Sequence, residues 1–289
     1  MNRKEFIVST IATSGGLFMG SLAYAKAPSI GGKSKGVSIR QIRNATLVID
    51  YGGKKFLIDP MLSKKGTYPP FPNSLRQDQK NPLVELPIAV EEVIEGIDAV
   101  FLSHLHLDHY DDAAKKILPK GVKIFVQDEA DKKKVEFEGF TDVEVLTEKT
   151  SFQGVQLFRT RAQHGRGEIV KRSGHVCGVV FKHSNEKTLY IAADTVWFDG
   201  VKEAIDLHKP EIIVVNGGDN QFLNSGSLIM GKDDIYEVHN AAPQAKIIVC
   251  HMEAINHYTL SREELKTFIN EKAISSHVVV PDDGEFYSF

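Results

Sequence analysis

Cysteine is nearly absent from this 289-residue chain. Its two cysteines, Cys177 and Cys250, are too few and too far apart for a disulfide framework or a cysteine-based zinc site. A surplus of one charge is missing too, since 35 basic and 38 acidic residues leave a formal net charge of −3. So balanced a chain has no general attraction for nucleic acid or an anionic membrane. No linker or shift in composition divides residues 37–289, which read as one domain. The make-up, 42% hydrophobic and 25% charged, is that of an ordinary globular protein. Gly217-Gly218, after Val214-Val215, lacks the spacing of a nucleotide-binding fingerprint and reads as a tight turn.

The N-terminus differs from the rest. It starts basic, and residues 6–22 are apolar or small and carry no charge. Ala23-Tyr24-Ala25 then offers a small–x–small cleavage site before Lys26. The stretch is short for a membrane span and contains Gly15-Gly16. These features predict a signal peptide over residues 1–25 and a linker over 26–36. The mature chain is then periplasmic or exported, with no stable membrane insertion. Arg3-Lys4-Glu5-Phe6-Ile7 resembles a twin-arginine export signal with lysine in place of the second arginine. In that oxidising compartment a Cys177–Cys250 bond is open to the chain. Each cysteine lies in an apolar strand-like run, so free buried thiols are the expectation.

What is abundant is histidine, in one place. The apolar run Ala99-Val100-Phe101-Leu102 reads as a buried strand that stops at Ser103. His104, His106, Asp108 and His109 follow within six residues. Residues 111–118 then look like a helix with acidic residues in its first turn. His104 and His106 alternate with Leu105 and Leu107, so both imidazoles can point one way while the leucines anchor the backbone. Imidazole nitrogen and carboxylate oxygen suit zinc, and also manganese or iron. The density of the cluster marks a metal site.

Elsewhere the chain runs strands first and then alternates. Residues 37–42 alternate apolar and polar, and 45–51 and 54–59 form a hairpin about Gly52-Gly53. Residues 60–87 hold six of the eleven prolines and read as a long loop, either an active-site rim or a plain surface excursion. Helices and strands alternate from residue 90 to 146. The second half restarts with strands between 151 and 193 and alternates again to 280. Two sheets packed face to face with helices outside are the natural result. Three more polar residues stand where strands end, His164, Asp194 and His251. Strand ends lying side by side bring such residues together.

With these residues in hand the chain resembles the metallo-β-lactamase superfamily, through His-x-His-x-Asp-His at 104–109 and then His164, Asp194 and His251 in order. The resemblance spans nearly all of residues 37–289. It implies an α/β fold, a four-layer αββα sandwich, with a dinuclear metal site along one edge of the sheets. It further implies that His104, His106 and His164 hold one divalent cation, that Asp108, His109 and His251 hold a second, and that Asp194 bridges them. Zinc is the expected ion and manganese the alternative. Within the superfamily, Leu57-Ile58-Asp59-Pro60, Ala193-Asp194-Thr195 and the run from His251 to His257 look most like the branch of ascorbate-6-phosphate lactonase and N-acylphosphatidylethanolamine phospholipase D.

The expected activity is hydrolysis of an ester-type bond, a lactone or a phosphodiester, in a small-molecule substrate. Two metals lower the pKa of a shared water from about 16 toward 7, and the hydroxide attacks carbon or phosphorus. Asp108 orients that nucleophile or takes its proton. His257 either donates a proton to the leaving group or serves as a supporting residue. The alternatives are a lipid-directed phosphodiesterase of phospholipase D type, with the rim at 68–87 meeting acyl chains, and a metal-binding member without catalysis. Arg159, Arg161, Arg166, Lys171 and Arg172 surround His164 and either steer an anion or form a solvated charged loop. His175 and Cys177, two apart, read as one face of a core strand. Nothing in the sequence fixes the oligomeric state.

Overall fold

The computed structural model describes residues 36–289. The stretch read as a signal peptide and all but the last residue of the linker lie outside the described residues. The chain opens with β1 (Ser38–Arg43), β2 (Thr46–Tyr51) and β3 (Lys54–Ile58), joined antiparallel. After the proline-rich rim come α1 (Val90–Ile94), β4 (Ala99–Phe101), α2 (Asp112–Ile117), β5 (Lys123–Val126), α3 (Glu129–Phe137) and β6 (Val143–Val145). The strands β4, β5 and β6 add in parallel to β3.

The second sheet repeats the plan. Its antiparallel part is β7 (Thr150–Phe152), β8 (Val155–Arg161), β9 (Cys177–Lys182) and β10 (Leu189–Ile191). Then α4 (Asp199–His208) leads to β11 (Ile212–Asn216), which adds in parallel. A small hairpin follows, β12 (Gln221–Phe222) with β13 (Gly226–Ser227). The helix α5 (Lys232–Ala241), β14 (Lys246–Cys250), α6 (Arg262–Glu271) and β15 (Val278–Val279) complete the parallel part. The last strand, β16 (Phe286–Ser288), returns to the first sheet and pairs antiparallel with β1.

Alternation along the strands sorts the apolar residues into three layers. Phe56, Ile58 and Phe101 of the first sheet meet Val179, Ile191, Val214 and Cys250 of the second between the sheets. Leu57, Val100 and Ile124 face the other way with the helical-region residues Val93, Ala114 and Val135. Ile213, Val215, Ile247 and Val249 likewise pack on Val201, Ile235, Val238 and Leu265. Each valine, leucine, isoleucine or phenylalanine among them is worth about 1.5–3 kcal/mol when fully buried. Strands covered on both faces read as continuous apolar runs. The result is the expected αββα sandwich. Both cysteines are free and buried, as expected. Among the described residues no helix is long and apolar enough to cross a membrane.

Several features depart from the sequence reading, the β12–β13 hairpin among them. β16 was not anticipated, since three residues at an edge carry little pattern. Nor was the 3₁₀ helix at Gly167–Lys171. β9 starts at Cys177, so His175 is not a core residue; its side chain is 88% exposed, 4.0 Å from Asp128. Its backbone carbonyl instead accepts from the Gln127 amide at 2.6 Å.

Candidate metal centre

The ends of β3, β4, β8, β10, β11 and β14 open onto one edge of the sandwich. Asp59, one residue past β3, fixes the histidine-rich turn. Its carboxylate accepts from Ser103 N at 2.8 Å and Ser103 Oγ at 2.6 Å, and from His109 Nδ1 at 2.9 Å. His109 N and Tyr110 N both donate to His106 O at 2.9 Å, which closes the turn. His164, Asp194 and His251 arrive from the second sheet, and all seven side chains converge.

They gather about two centres. Ligand atoms of His104, His106 and His164 lie within 4.8 Å of one another, as do those of Asp108, His109 and His251. His104 Nε2 is 2.9 Å from His106 Nδ1. His251 Nε2 is 3.1 Å from His109 Nε2 and 3.2 Å from Asp108 Oδ2. Asp194 lies between the groups, with Oδ2 at 3.2 Å from His109, 3.5 Å from His164 and 3.9 Å from His104. Its Oδ1 accepts from Asn216 Nδ2 at 2.6 Å. Ring nitrogens turned away from the centres are held as well: His104 Nδ1 by Ser103 Oγ at 3.0 Å and His164 Nδ1 by Leu228 O at 3.0 Å. Nitrogens aimed at one another about 3 Å apart, with the rings of His104, His109, His164 and His251 each braced from behind, fit a pair of divalent cations.

The charges of the cluster depend on one another. Burial alone would push the His109 imidazolium down, yet Asp194, Asp108 and Asp59 hold its pKa well above the ordinary value. Burial would raise Asp194, but His109, His251 and His164 keep it well below the usual carboxylate range. Asp108 is depressed in the same way by His109 and His251, against burial. Burial lowers His104 and His106. A cation taken up here would have to displace the His109 proton, so its binding would tighten as pH rises.

Backbone strain collects at the same edge. Asn44, Asp59, Ala193 and His251 all have left-handed φ, at 55°, 42°, 58° and 61°. Such residues cost of order 1–3 kcal/mol each and persist where their surroundings fix them. Here His251 N donates to Asn44 O at 2.8 Å and Asp59 N to Phe101 O at 3.0 Å. Sequence reasoning did not single out the supporting roles of Asp59, Asn44, Asn216 and Asn220. The one available signal was position, since Asp59 and Asn216 also stand at strand ends.

A cavity of about 260 Å³ opens over the centre. His106, Asp108, His164 and Asp194 form its floor, with Phe71, Leu107, Ile169, Phe222 and Leu228 as apolar walls and Arg172 beside them. Phe71 belongs to the proline-rich rim, which therefore does border the site. His257 also lines the cavity, with Phe222 stacked on it at 5.5 Å and Phe71 edge-on at 4.9 Å. Burial lowers the His257 pKa to about 4, so the ring is neutral. Its Nδ1 has no hydrogen-bond partner. Most of the nearby cations are paired, Arg166 with Asp234 at 2.6 Å, Lys171 with Glu168 at 2.9 Å and Arg161 with Glu203 at 3.1 Å. Glu253 is occupied by Arg262 at 2.9 Å.

Residues 54–252 match the family described as the beta-lactamase superfamily domain. The UPF0173 protein YddR of Bacillus subtilis is 61% identical over 254 residues, 88% of this chain and 100% of that one. Among solved structures, an isothiocyanate hydrolase from Delia radicum gut bacteria is 42% identical, with a TM-score of 0.83 over 87% of this chain and 99% of the other. A protein of Veillonella parvula described as a possible metal-dependent hydrolase is 38% identical, with a TM-score of 0.86 over 89% of this chain and 100% of the other.

Proposed function

The chain belongs to the metallo-β-lactamase superfamily and has the architecture of a metal-dependent hydrolase, and from that premise we propose that it hydrolyses small, neutral, largely apolar electrophiles at carbon, isothiocyanates first among them. The observation that carries this reading is the cavity. It lies just below the size range of drug-sized sites and has apolar walls, and Arg172 is the one lysine or arginine among its lining residues. That lining suits an uncharged alkyl or aryl group better than a phosphodiester or a two-chain lipid. The 42% identical isothiocyanate hydrolase supports the same choice. Carboxylic esters and lactones are the second class, supported by the lactonase-like runs at 57–60, 193–195 and 251–257.

Two cations held by the seven ligands, zinc first and manganese second, would supply Lewis acidity and lower the pKa of a shared water. The chain's own residues do the rest. Asp108 orients the attacking water and takes a proton from it. The water oxygen bonds to the central carbon of R–N=C=S, and the C=N pair moves to nitrogen. His257, uncharged and buried, offers an N–H to the heteroatom that gains charge. Asp108 returns its proton to nitrogen to give R–NH–C(=S)OH, and transfer of the remaining hydroxyl proton to nitrogen as the C–N bond breaks releases R–NH₂ and carbonyl sulfide. Phe71, Phe222 and Ile169 hold the R group and exclude water. The basic start, the apolar stretch at 6–22 and Ala23-Tyr24-Ala25 support export of the mature chain as a proposal of its own.

The test is turnover by the purified full-length protein, loaded with zinc, with manganese or stripped by chelator, in thiol-free buffer. Benzyl isothiocyanate, a lactone, p-nitrophenyl acetate, a β-lactam and an aryl phosphodiester are compared. The expected result is metal-dependent loss of the isothiocyanate with stoichiometric amine, abolished by His104→Ala or Asp108→Ala. Turnover of the phosphodiester alone overturns the reading.

A further inference from the structure

Asn44 lies in the turn between β1 and β2, behind the metal edge and absent from the cavity wall. It is fully buried, and its contacts run to only one of the two centres. Asn44 Nδ2 donates to the Asp108 carbonyl at 2.9 Å and lies 3.3 Å from His251 Nε2. Asn44 O accepts from His251 N at 2.8 Å and from the Gln41 amide at 2.9 Å. One residue of the first sheet thus grips the loop that carries Asp108 and the loop of the second sheet that carries His251.

The hydrogen-bond directions follow in sequence. The Asp108 carbonyl can only accept, so the Asn44 amide must turn its nitrogen toward it. The same nitrogen stands 3.3 Å from His251 Nε2, the atom that faces Asp108 and His109 and would meet the cation. A ring that gives Nε2 to a cation carries its proton on Nδ1. Asn220, whose amide is 3.3 Å from that Nδ1 and whose Oδ1 has no other donor, accepts it once its amide is turned over. Asn44 in this way fixes the two loops relative to each other, and with them the 3.2 Å approach of His251 to Asp108. His104, His106 and His164 owe none of their contacts to it.

We infer that Asn44 is a positioning residue that governs affinity for the second cation, the one held by Asp108, His109 and His251, and leaves the first cation untouched. The residue type fits the task. At φ 55° glycine, asparagine and aspartate are the residues that adopt the left-handed region at least cost, and of these only asparagine carries a side-chain N–H to donate.

The inference rests on the two-cation reading of the site, and the experiment separates the two. Full-length wild type, Asn44→Gly and Asn44→Asp are stripped of metal, and thermal unfolding of the metal-free forms checks the fold. Zinc stoichiometry and stepwise affinity are then read by elemental analysis and chelator competition. Glycine keeps the backbone without the side chain. Aspartate keeps the shape and loses the donor, so the pair still decides if one variant fails to fold. The expected result is two zinc ions in wild type and a first step unchanged in the variants. Their second step should be weaker by about 10–100-fold, the scale for residues that orient metal ligands. A second step within twofold of wild type, or both steps weakened alike, overturns the role given to Asn44. A wild type that takes up fewer than two zinc ions overturns the site reading itself.

Discussion

The first sheet taken from its β16 edge and the second taken from its β7 edge follow one pattern, four strands joined antiparallel and then three added in parallel. Register makes the match residue by residue. Ile58 pairs with Phe101 as Ile191 pairs with Val214, and two residues beyond those partners stand Ser103 and Asn216. Each donates its side chain at 2.6 Å to an aspartate beyond the neighbouring strand, Ser103 to Asp59 and Asn216 to Asp194. The two carboxylates then part company. Asp59, directly after its strand, braces His109 from behind. Asp194 is carried two residues further, past Ala193 at φ 58°, and faces His104, His109 and His164 itself. The same device orients a ligand in one sheet and supplies one in the other, and reach beyond the strand decides which.

Exchanging each aspartate for asparagine tests that division most strongly. Asp194→Asn removes the charge between the two centres and is expected to lower kcat/KM on the order of 10³-fold, the upper scale for losing one preorganised electrostatic group. Added metal should not restore it. Asp59→Asn is expected to weaken metal affinity by about 10–100-fold, with activity largely regained at excess zinc. Equal losses in both variants, neither rescued, would show that Asp59 and Asp194 do not differ in kind.

The same contrast explains how much could be read in advance. His104, His106, Asp108 and His109 are neighbours in sequence, so the coordinating turn was visible as a cluster. His164, Asp194 and His251 were visible because apolar runs stop just before them, and the two-sheet sandwich because alternating and continuous runs recur in each half. Asn44 was silent, since asparagine in a hairpin turn is ordinary turn chemistry. Its meaning depends on the approach of His251, 207 residues away. Asn220 was silent for the same reason, and Asn216 offered only its place at the end of β11. His175 misled because its spacing from Cys177 imitates a strand face, whereas Cys177 N turns to Ser103 O at 3.2 Å and the strand starts there. Contacts made between the sheets leave no local period for a sequence pattern to show.

His257 belongs to the second half but is enclosed partly by the first, through Phe71. Its pKa, lowered by burial to about 4, lies below the ordinary 6.5, so between those values the unfolded chain binds the proton more readily. This group's contribution to stability is complete above pH 6.5 and is lost as pH falls through 4. Metal-free wild type should therefore lose more stability between pH 7 and pH 5 than His257→Gln, by up to roughly 3 kcal/mol over the full shift, as followed by thermal unfolding. In turnover His257→Gln should lower kcat about tenfold, the worth of one hydrogen bond. Identical acid sensitivity in the two proteins would place the titrating group elsewhere.

The smallest expected effect concerns the rim, where the halves meet. Asn256 is fully buried and ties residues 71–81 to the loop after β14. Its Oδ1 accepts from Phe71 N at 2.8 Å and Asn81 Nδ2 at 2.9 Å, and its Nδ2 donates to Ser74 Oγ and Leu75 O, each at 2.8 Å. These bonds hold the Phe71 ring against His257, yet none reaches a ligand. Asn256→Ala should cost about 1–3 kcal/mol for each buried group left without a partner and let the cavity wall move. We expect KM to rise a few-fold for apolar substrates, with kcat and the metal stoichiometry unchanged. Loss of zinc would instead show that the rim and the metal loops act as one unit, because a clasp that only shapes the wall has no path to the cations.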